Sequence, residues 1–415
     1  MILVPNRLQV WLNETHVADL ERRRRNDARI RIRYTDEALE RWPLNAPIVS
    51  CSLPLSSRPQ DALPFLRGLL PEGDALAALA ARARISAADT FGLLEHYGRD
   101  VAGALVIGSG APDERRFGLE PYDEESLTEE VGSLDENPLG IHDDSELSLP
   151  GVQNKLLLVK TEDGWARPQH GRPSTHILKA EDRRFPGIAQ AEFECLQLAR
   201  AVGLTPVESE FLVLGNIPCL ITQRYDRLVI DSAVTRMHQE DLCQAVGIDG
   251  SGNRGRAKYQ RRSGGGPGFR AAARLLDAYA ADATAELKLL VSMLAFHLAT
   301  GNADAHAKNL SFIHTETAIS LAPVYDTTPT LLWPSLTEEM AMSVNNRFSL
   351  QTLTVSDIVA EAGKWPLARD AAEQAAMETI ERVAAGVGVV SSEELADVIS
   401  GRCQALLAGA AADSS

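Results

Sequence analysis

The chain has 415 residues, with 41 Lys and Arg against 57 Asp and Glu, for a formal net charge of −16. At about 150 residues per domain this length predicts two or three domains, and a composition of 45% apolar and 24% charged residues excludes a largely disordered chain. The excess of acid argues against a free-standing nucleic-acid binder, which carries a basic face, but leaves room for a local basic patch or a DNA-bound partner.

Residues 1–118 read as a small α+β domain. Leu8 to Leu12, the alternating Arg29-Ile30-Arg31-Ile32-Arg33-Tyr34 and Ala102 to Ile107 have strand patterns, and Leu63 to Arg84 reads as helix. Residues 119–147 read as an acidic, solvated connector. Ten acids and no Lys or Arg fall between 121 and 150, which fits a charged surface face with a short helix. From Ser148 the pattern changes. Leu156 to Val159 and His176 to Lys179 read as two strands either side of a polar turn at Thr161 to Gly164. A helix from Ala189 to Val202 closes at Gly203. Phe211 to Leu214 and Cys219 to Thr222 form a hairpin around Gly215-Asn216. Residues 148–225 therefore make a sheet-rich part, and 226–411 read as helical, with a nearly all-apolar helix from Glu286 to Thr300 and Ala-rich helices over 355–411.

No uninterrupted apolar run approaches the roughly 18 residues of a membrane span, and the N-terminus reaches polar residues too soon for a signal peptide. Five widely spaced cysteines without a CxxC pair point to neither a disulfide framework nor a zinc site. The expectation is a soluble, cytoplasmic protein with no membrane association, its cysteines acting as small buried hydrophobes.

Four motifs carry chemistry. Ser148-Leu149-Pro150-Gly151-Val152-Gln153-Asn154-Lys155 precedes a strand and holds one glycine, so it is no Walker A loop; alone it reads as a Pro-Gly turn. Lys179 ends a strand, where it can snorkel to solvent or point its ammonium at nucleotide phosphates, and Glu192 or Glu194 on the next helix can pair with it. Gly301-Asn302-Ala303-Asp304-Ala305-His306-Ala307-Lys308-Asn309 follows the buried helix. Asp304 and Asn309 stand at the spacing of the kinase catalytic loop, in which Asp accepts the hydroxyl proton and Asn holds magnesium. Tyr325-Asp326 follows, and two carboxylates with an amide oxygen make a hard-ion donor set that suits Mg²⁺. His306 reads equally as a loop histidine or as an organiser of the loop. The stretch 250–270, with six basic residues and seven glycines, reads as a surface loop or as a holder of acidic groups.

These motifs resemble the HipA family, the serine/threonine kinase toxins of bacterial HipBA toxin–antitoxin modules. SLPGVQNK (148–155), THILK (175–179), QRYDR (223–227), HQEDLCQAVG (238–247), GGGPG (264–268), GNADAHAKN (301–309) and PVYDTTPT (323–330) occur in family order, with Gly98-Arg99-Asp100 and Leu69-Leu70-Pro71-Glu72-Gly73 before them. The resemblance implies an α+β, HipA-like kinase fold: a small N-terminal α+β domain, then a bilobal kinase-like region with an all-helical C-terminal part. It implies ATP and Mg²⁺ as cofactors. Pro150, Gly151, Val152, Gln153, Asn154 and Lys155 would form the phosphate loop and Lys179 would meet the α- and β-phosphates. Gln223, Arg224 and Tyr225 would be the adenine hinge; Gln223 stands where an acidic residue is common. Asp304 would be the catalytic Asp and His306 and Tyr325 would lie by the nucleotide. Asn309 and Asp326 would hold the metal, and Ser148 would be the autophosphorylated serine whose modification expels the loop. The family's partners are a HipB-like helix-turn-helix antitoxin, which brings DNA only indirectly, and an aminoacyl-tRNA synthetase as substrate, glutamyl-tRNA synthetase in the best-known case. Two other readings stand beside this one: a small-molecule phosphotransferase using the same residues, and a corepressor that needs binding without turnover.

Overall fold

The computed structural model describes residues 7–23, 29–151, 153–231, 233–251, 256–260, 262 and 266–412. Of the residues singled out above, Val152 and, in the 250–270 stretch, the basic residues Arg254 and Arg261 and the glycines Gly252, Gly255, Gly264 and Gly265 lie outside this set. The chain forms two compact units: Met1–Ala180 with Leu212–Ala257 and Ile313–Ala318, and Glu181–Phe211 with Lys258–Phe312 and Ile319–Ser415.

Among the described residues the first unit holds a two-stranded sheet, Arg227–Ile230 with Ala233–Arg236, and two larger sheets. One runs β4 (Gln60–Asp61), β3 (Arg31–Tyr34), β2 (Thr15–Glu21), β1 (Arg7–Leu12), β5 (Leu105–Gly108). In β3, Ile32 and Tyr34 are buried while Arg31 and Arg33 are exposed, the period of two that a half-buried strand imposes. The other runs β10 (Ser209–Leu214), β11 (Ile217–Gln223), β9 (His176–Ala180), β7 (Lys155–Thr161), β8 (Gly164–Gln169), β6 (Gly118–Pro121).

Several elements differ from the sequence expectation. The single helix expected over Leu63–Arg84 is two helices, Leu63–Arg67 and Gly73–Arg82, separated at Pro71, which has no N–H to continue the ladder. The expected pair of strands around Thr161–Gly164 is three. The turn, with Gly164 at φ 134°, leads directly into β8, whose Arg167 and Pro168 hide its strand character. The acidic stretch supplies β6 and a helix, Glu124–Gly132, started by an Asp123–Ser126 capping box. Leu127, Val131 and Leu134 share a core with Leu156, Leu158 and Leu178, so the apolar residues at helical spacing are buried while Glu124, Glu125 and Glu129 face out and the half-buried Glu130 pairs with His142.

The motifs GRD and QRYDR prove to be halves of one buried ion network. Asp100, fully buried, accepts from Arg227 Nη2 (2.8 Å), Ser174 N (2.9 Å) and Ser174 Oγ (2.7 Å). Asp226 accepts from Arg224 Nε (2.9 Å) and Nη2 (2.8 Å) and from Gly103 N (2.7 Å). The two guanidiniums and two carboxylates neutralise one another, and the arginines hold Asp226 well below the usual carboxylate range. Arg227→Ala should destabilise the protein by about 3–5 kcal/mol, because it strands a buried charge. Denaturant unfolding measures this, and a change below about 1 kcal/mol contradicts it.

The second unit is built around the helix Ala283–Thr300, with Phe269–Tyr279, Arg369–Gly386 and Glu393–Ala412 packed on it. This helix is long and apolar enough to cross a membrane by length and composition, yet 67% of it is buried inside the protein. Glu286 and Lys288 interrupt the run, so a search for unbroken apolar stretches passes over it. The part after residue 226 is not all helical: Arg227–Ile230, Ala233–Arg236, Gln239–Asp241, Ser311–His314, Ile319–Leu321, Glu339–Val344 and Arg347–Ser349 are strands. At three to six residues each, they are too short for a period of two to register. All five cysteines are unpaired and buried, as expected.

Candidate active site

The residues marked out by the sequence fall into two groups, one in each unit. In the first unit, Lys155 and Lys179 are direct partners across the β7–β9 pair, which puts two ammonium groups on adjacent strands. Lys155 Nζ donates to Pro150 O (2.6 Å), and Gly151 sits at φ 118°, where a side chain would also collide with that ammonium. Asn154 Nδ2 donates to Asp135 Oδ1 (2.7 Å). Ser148 is fully buried; its Oγ donates to Leu69 O (3.1 Å) and its N to Asp100 O (2.9 Å).

Gln223 ends β11 opposite His176, and Tyr225 OH donates to Gln239 Oε1 (2.9 Å). Arg224 also serves the fold. Its guanidinium bonds Asp226, two positions on, and lies 3.6 Å from Asp100, 124 positions earlier, a partner that no local spacing signals. Its N–H donates to Thr175 O (2.9 Å), and its carbonyl accepts from Arg227 N (3.2 Å).

In the second unit, the loop after the buried helix is held by its own backbone. Gly301 at φ 74° caps the helix, with its N–H on His297 O. Asn302 Oδ1 accepts from Asp304 N (3.0 Å), and Thr330 Oγ1 accepts from Ala303 N (2.9 Å). Asp304 O accepts from His306 N (2.7 Å) and Asn309 Nδ2 (3.3 Å), so Asn309 Oδ1 is the amide atom left to a cation. Tyr325 OH donates to Lys308 O (2.7 Å), with Ser311 Oγ 2.5 Å away, which ties the segment before Asp326 to the same loop. Asp326 itself lies at φ 50°, a left-handed conformation that Asp tolerates better than most residues.

Electrostatics sets these groups apart. Burial pushes the Asp304 carboxyl up to about 6, aided by the Asp326 charge and opposed by Tyr259 OH (3.0 Å from Oδ1) and by Lys258. A carboxyl near 6 is ionised at neutral pH yet basic enough to accept a proton. Burial first, then Lys258, pushes His306 down to about 3, so its ring is neutral. It packs edge-on to Tyr259 at 5.4 Å between centroids, and its buried Nδ1 has no hydrogen-bond partner. An orphaned buried nitrogen fits a ligand-facing role. A hard-oxygen pair, Asp326 and Asn309, beside this carboxyl fits Mg²⁺.

Sequence reasoning marked Lys258 only as one of the basic residues of the 250–270 stretch and did not mark Tyr259, its neighbour there. Nothing in the spacing ties Tyr259 to Asp304, 45 positions on. Tyr259→Phe removes a hydrogen bond that favours the carboxylate, so the acid limb of the pH–rate profile should move to higher pH; an unmoved limb contradicts the contact. Of the two candidate partners for Lys179, Glu194 is engaged by Ser391 Oγ (2.5 Å), Ser392 N (3.2 Å) and Gln190 Nε2 (3.1 Å), while Glu192 is also buried.

The chain is similar to known proteins. The HipA N-terminal domain model matches residues 8–108 and the HipA-like C-terminal domain model matches 147–387. A Sinorhizobium fredii protein named putative kinase Y4mE is 34% identical over 357 residues, covering 83% of this chain and 82% of its own length. The serine/threonine-protein kinase toxin HipA of Shewanella oneidensis is 29% identical over 310 residues, covering 71% and 69%. A chain of the solved Shewanella oneidensis MR-1 complex of HipA, HipB and operator DNA superposes with a TM-score of 0.80 at 26% identity, over 97% of this chain and 96% of that one.

Proposed function

This chain belongs to the HipA family of serine/threonine protein kinases, and we propose that it transfers the γ-phosphoryl group of ATP to a protein hydroxyl, as the toxin partner of a HipB-like antitoxin. The observation that carries the proposal is the 301–309 loop, in which a carboxyl raised to about 6 stands with Asn309 and Asp326. In this reading Asp304 orients the nucleophilic hydroxyl and accepts its proton. Asp326 and Asn309 hold Mg²⁺, which when bound neutralises charge on the phosphates. Lys179 and the loop Pro150–Lys155 bind the phosphates, with Gln223, Arg224 and Tyr225 at the adenine. Neutral His306 offers Nδ1 to the nucleotide. Contact with DNA runs through the antitoxin.

The substrate proposed is a component of translation, an aminoacyl-tRNA synthetase. Phosphoproteomics after induced expression, comparing the wild type with Asp304→Asn, tests it. A Ser or Thr site on a synthetase, present only with the wild type, is the expected result. A phosphorylated metabolite with no protein site instead supports a small-molecule phosphotransferase, and operator repression undiminished in Asp304→Asn with no phosphorylation at all supports a corepressor.

Ser148 is proposed as the off switch. Its hydroxyl donates to Leu69 O in a fully buried site. A phosphate there would set about −1.5 to −2 charges and only acceptor oxygens against a carbonyl. The modified loop must therefore leave, giving an order–disorder pair biased by one group. Enzyme incubated with Mg·ATP should carry phosphate on Ser148 and bind ATP poorly, as read by peptide mass spectrometry and nucleotide titration. Full activity with Ser148 always unmodified sinks the switch.

A further inference from the structure

The first unit carries a second polar cleft, distinct from the residues assigned above, lined by Arg99, Arg116, Arg236, His170, Glu146 and Asp113. Its charges do not balance. Asp113 is neutralised by Arg115 (2.8 Å). Arg236 also lies 3.9 Å from Asp100, so the cleft and the buried network are counted together: the guanidiniums of Arg99, Arg116, Arg224, Arg227 and Arg236 face the carboxylates of Asp100, Asp226 and Glu146, an excess of positive charge, and Glu146 Oε1 accepts from Arg116 Nη2 (3.2 Å).

The cationic groups are also fixed in place. Arg236, almost wholly buried, donates Nη2 to Arg99 O and Gly171 O (3.1 Å each), while its buried Nε has no partner. Arg99 donates Nη1 to Gly110 O (2.8 Å), and side chains at Gly108 or Gly171 would collide with it. His170, held at φ 54°, has a buried Nδ1 without a partner. Desolvation, only partly offset by nearby acids, pushes both Arg99 and Arg236 down, as expected of cations short of counter-charge.

We infer that this cleft is a binding site for a phosphate monoester or related tetrahedral dianion, with Glu146 as the resident anion that it displaces. Three guanidiniums in a semi-enclosed site make charge-assisted, directional bonds to phosphate oxygens. One source is the chain itself. Glu146 O accepts from Arg99 N and Asp100 N, and Ser148 follows two residues later, about 7 Å of extended chain. Phosphate on Ser148 can therefore reach the cleft without moving anything before Glu146. That source rests on the autophosphorylation proposed above; a free phosphate does not.

Two arms test the site. In the first, phosphoserine is encoded genetically at position 148, so that the result does not depend on autophosphorylation, and ³¹P NMR follows its second ionisation. Its pKa should fall at least about half a unit below the ordinary value near 6, and Arg116→Glu should reverse the fall. In the second, unmodified protein is titrated with inorganic phosphate. Binding should weaken at least about tenfold in Arg116→Glu and tighten in Glu146→Gln, since guanidinium–phosphate pairs are charge-assisted. Arg116 is more than half exposed, so Arg116→Glu leaves the core alone. A response in the first arm alone assigns the site to the chain's own serine, and a response in the second alone to a free phosphate. If neither the encoded phosphoserine nor inorganic phosphate responds to Arg116→Glu, the site is refuted, whatever becomes of autophosphorylation.

Discussion

Asp304→Asn should lower the phosphoryl-transfer rate at least about a hundredfold, the usual scale of a general-base contribution, while leaving ATP affinity nearly unchanged. The amide keeps the shape of the side chain and can still accept from Tyr259 OH, which lies 3.0 Å from Oδ1. It cannot take up a proton. The backbone of residue 304 is fixed by Asn302, His306 and Asn309, so the loop should survive the change. The sign of the pH dependence follows from the same carboxyl. Since burial raises it to about 6, the wild-type rate should climb as pH passes through that value and Asp304 ionises. A variant that phosphorylates at near wild-type rate would remove Asp304 from the mechanism.

Asp326→Asn should weaken Mg·ATP binding at least about tenfold while adenosine binding stays within about twofold, because a charge-assisted contact to the cation is worth roughly 1.5–3 kcal/mol. Asn is the informative replacement. Residue 326 lies at φ 50°, where Ala would add backbone strain of about 1–2 kcal/mol, whereas Asn visits that region readily. The like charge of Asp326 also raises Asp304, so its removal should move the acid limb of the rate profile down. Equal losses for Mg·ATP and adenosine would mark Asp326 as structural.

The family and the fold class were legible, and so was the make-up of the 301–309 loop, because these signals are local. Asp304, His306 and Asn309 lie within six positions, and the buried helix before them is a continuous apolar signal closed by Gly301. The strand ends that carry Lys155 and Lys179 follow from short apolar runs. What the sequence did not show were features defined by partners far away. Arg224, read as a hinge residue, also lies beside Asp100 in a buried ion network and donates its N–H to Thr175. The strand Gly164–Gln169 is stabilised by neighbours on both sides, Lys155–Thr161 and Gly118–Pro121, rather than by its own pattern.

By itself, then, the order of residues determined which groups can do chemistry, since carboxylate, amide and ammonium carry their reactivity with them, and local spacing decides what one loop can present together. Only the tertiary structure decided how those groups are tuned. Asp304 is raised by desolvation, Tyr259 is brought to it across 45 positions, His306 is held neutral by burial, and Ser148 is sealed under Leu69. Such tuning depends on dielectric and on contacts between distant segments, which exist only once the chain has packed.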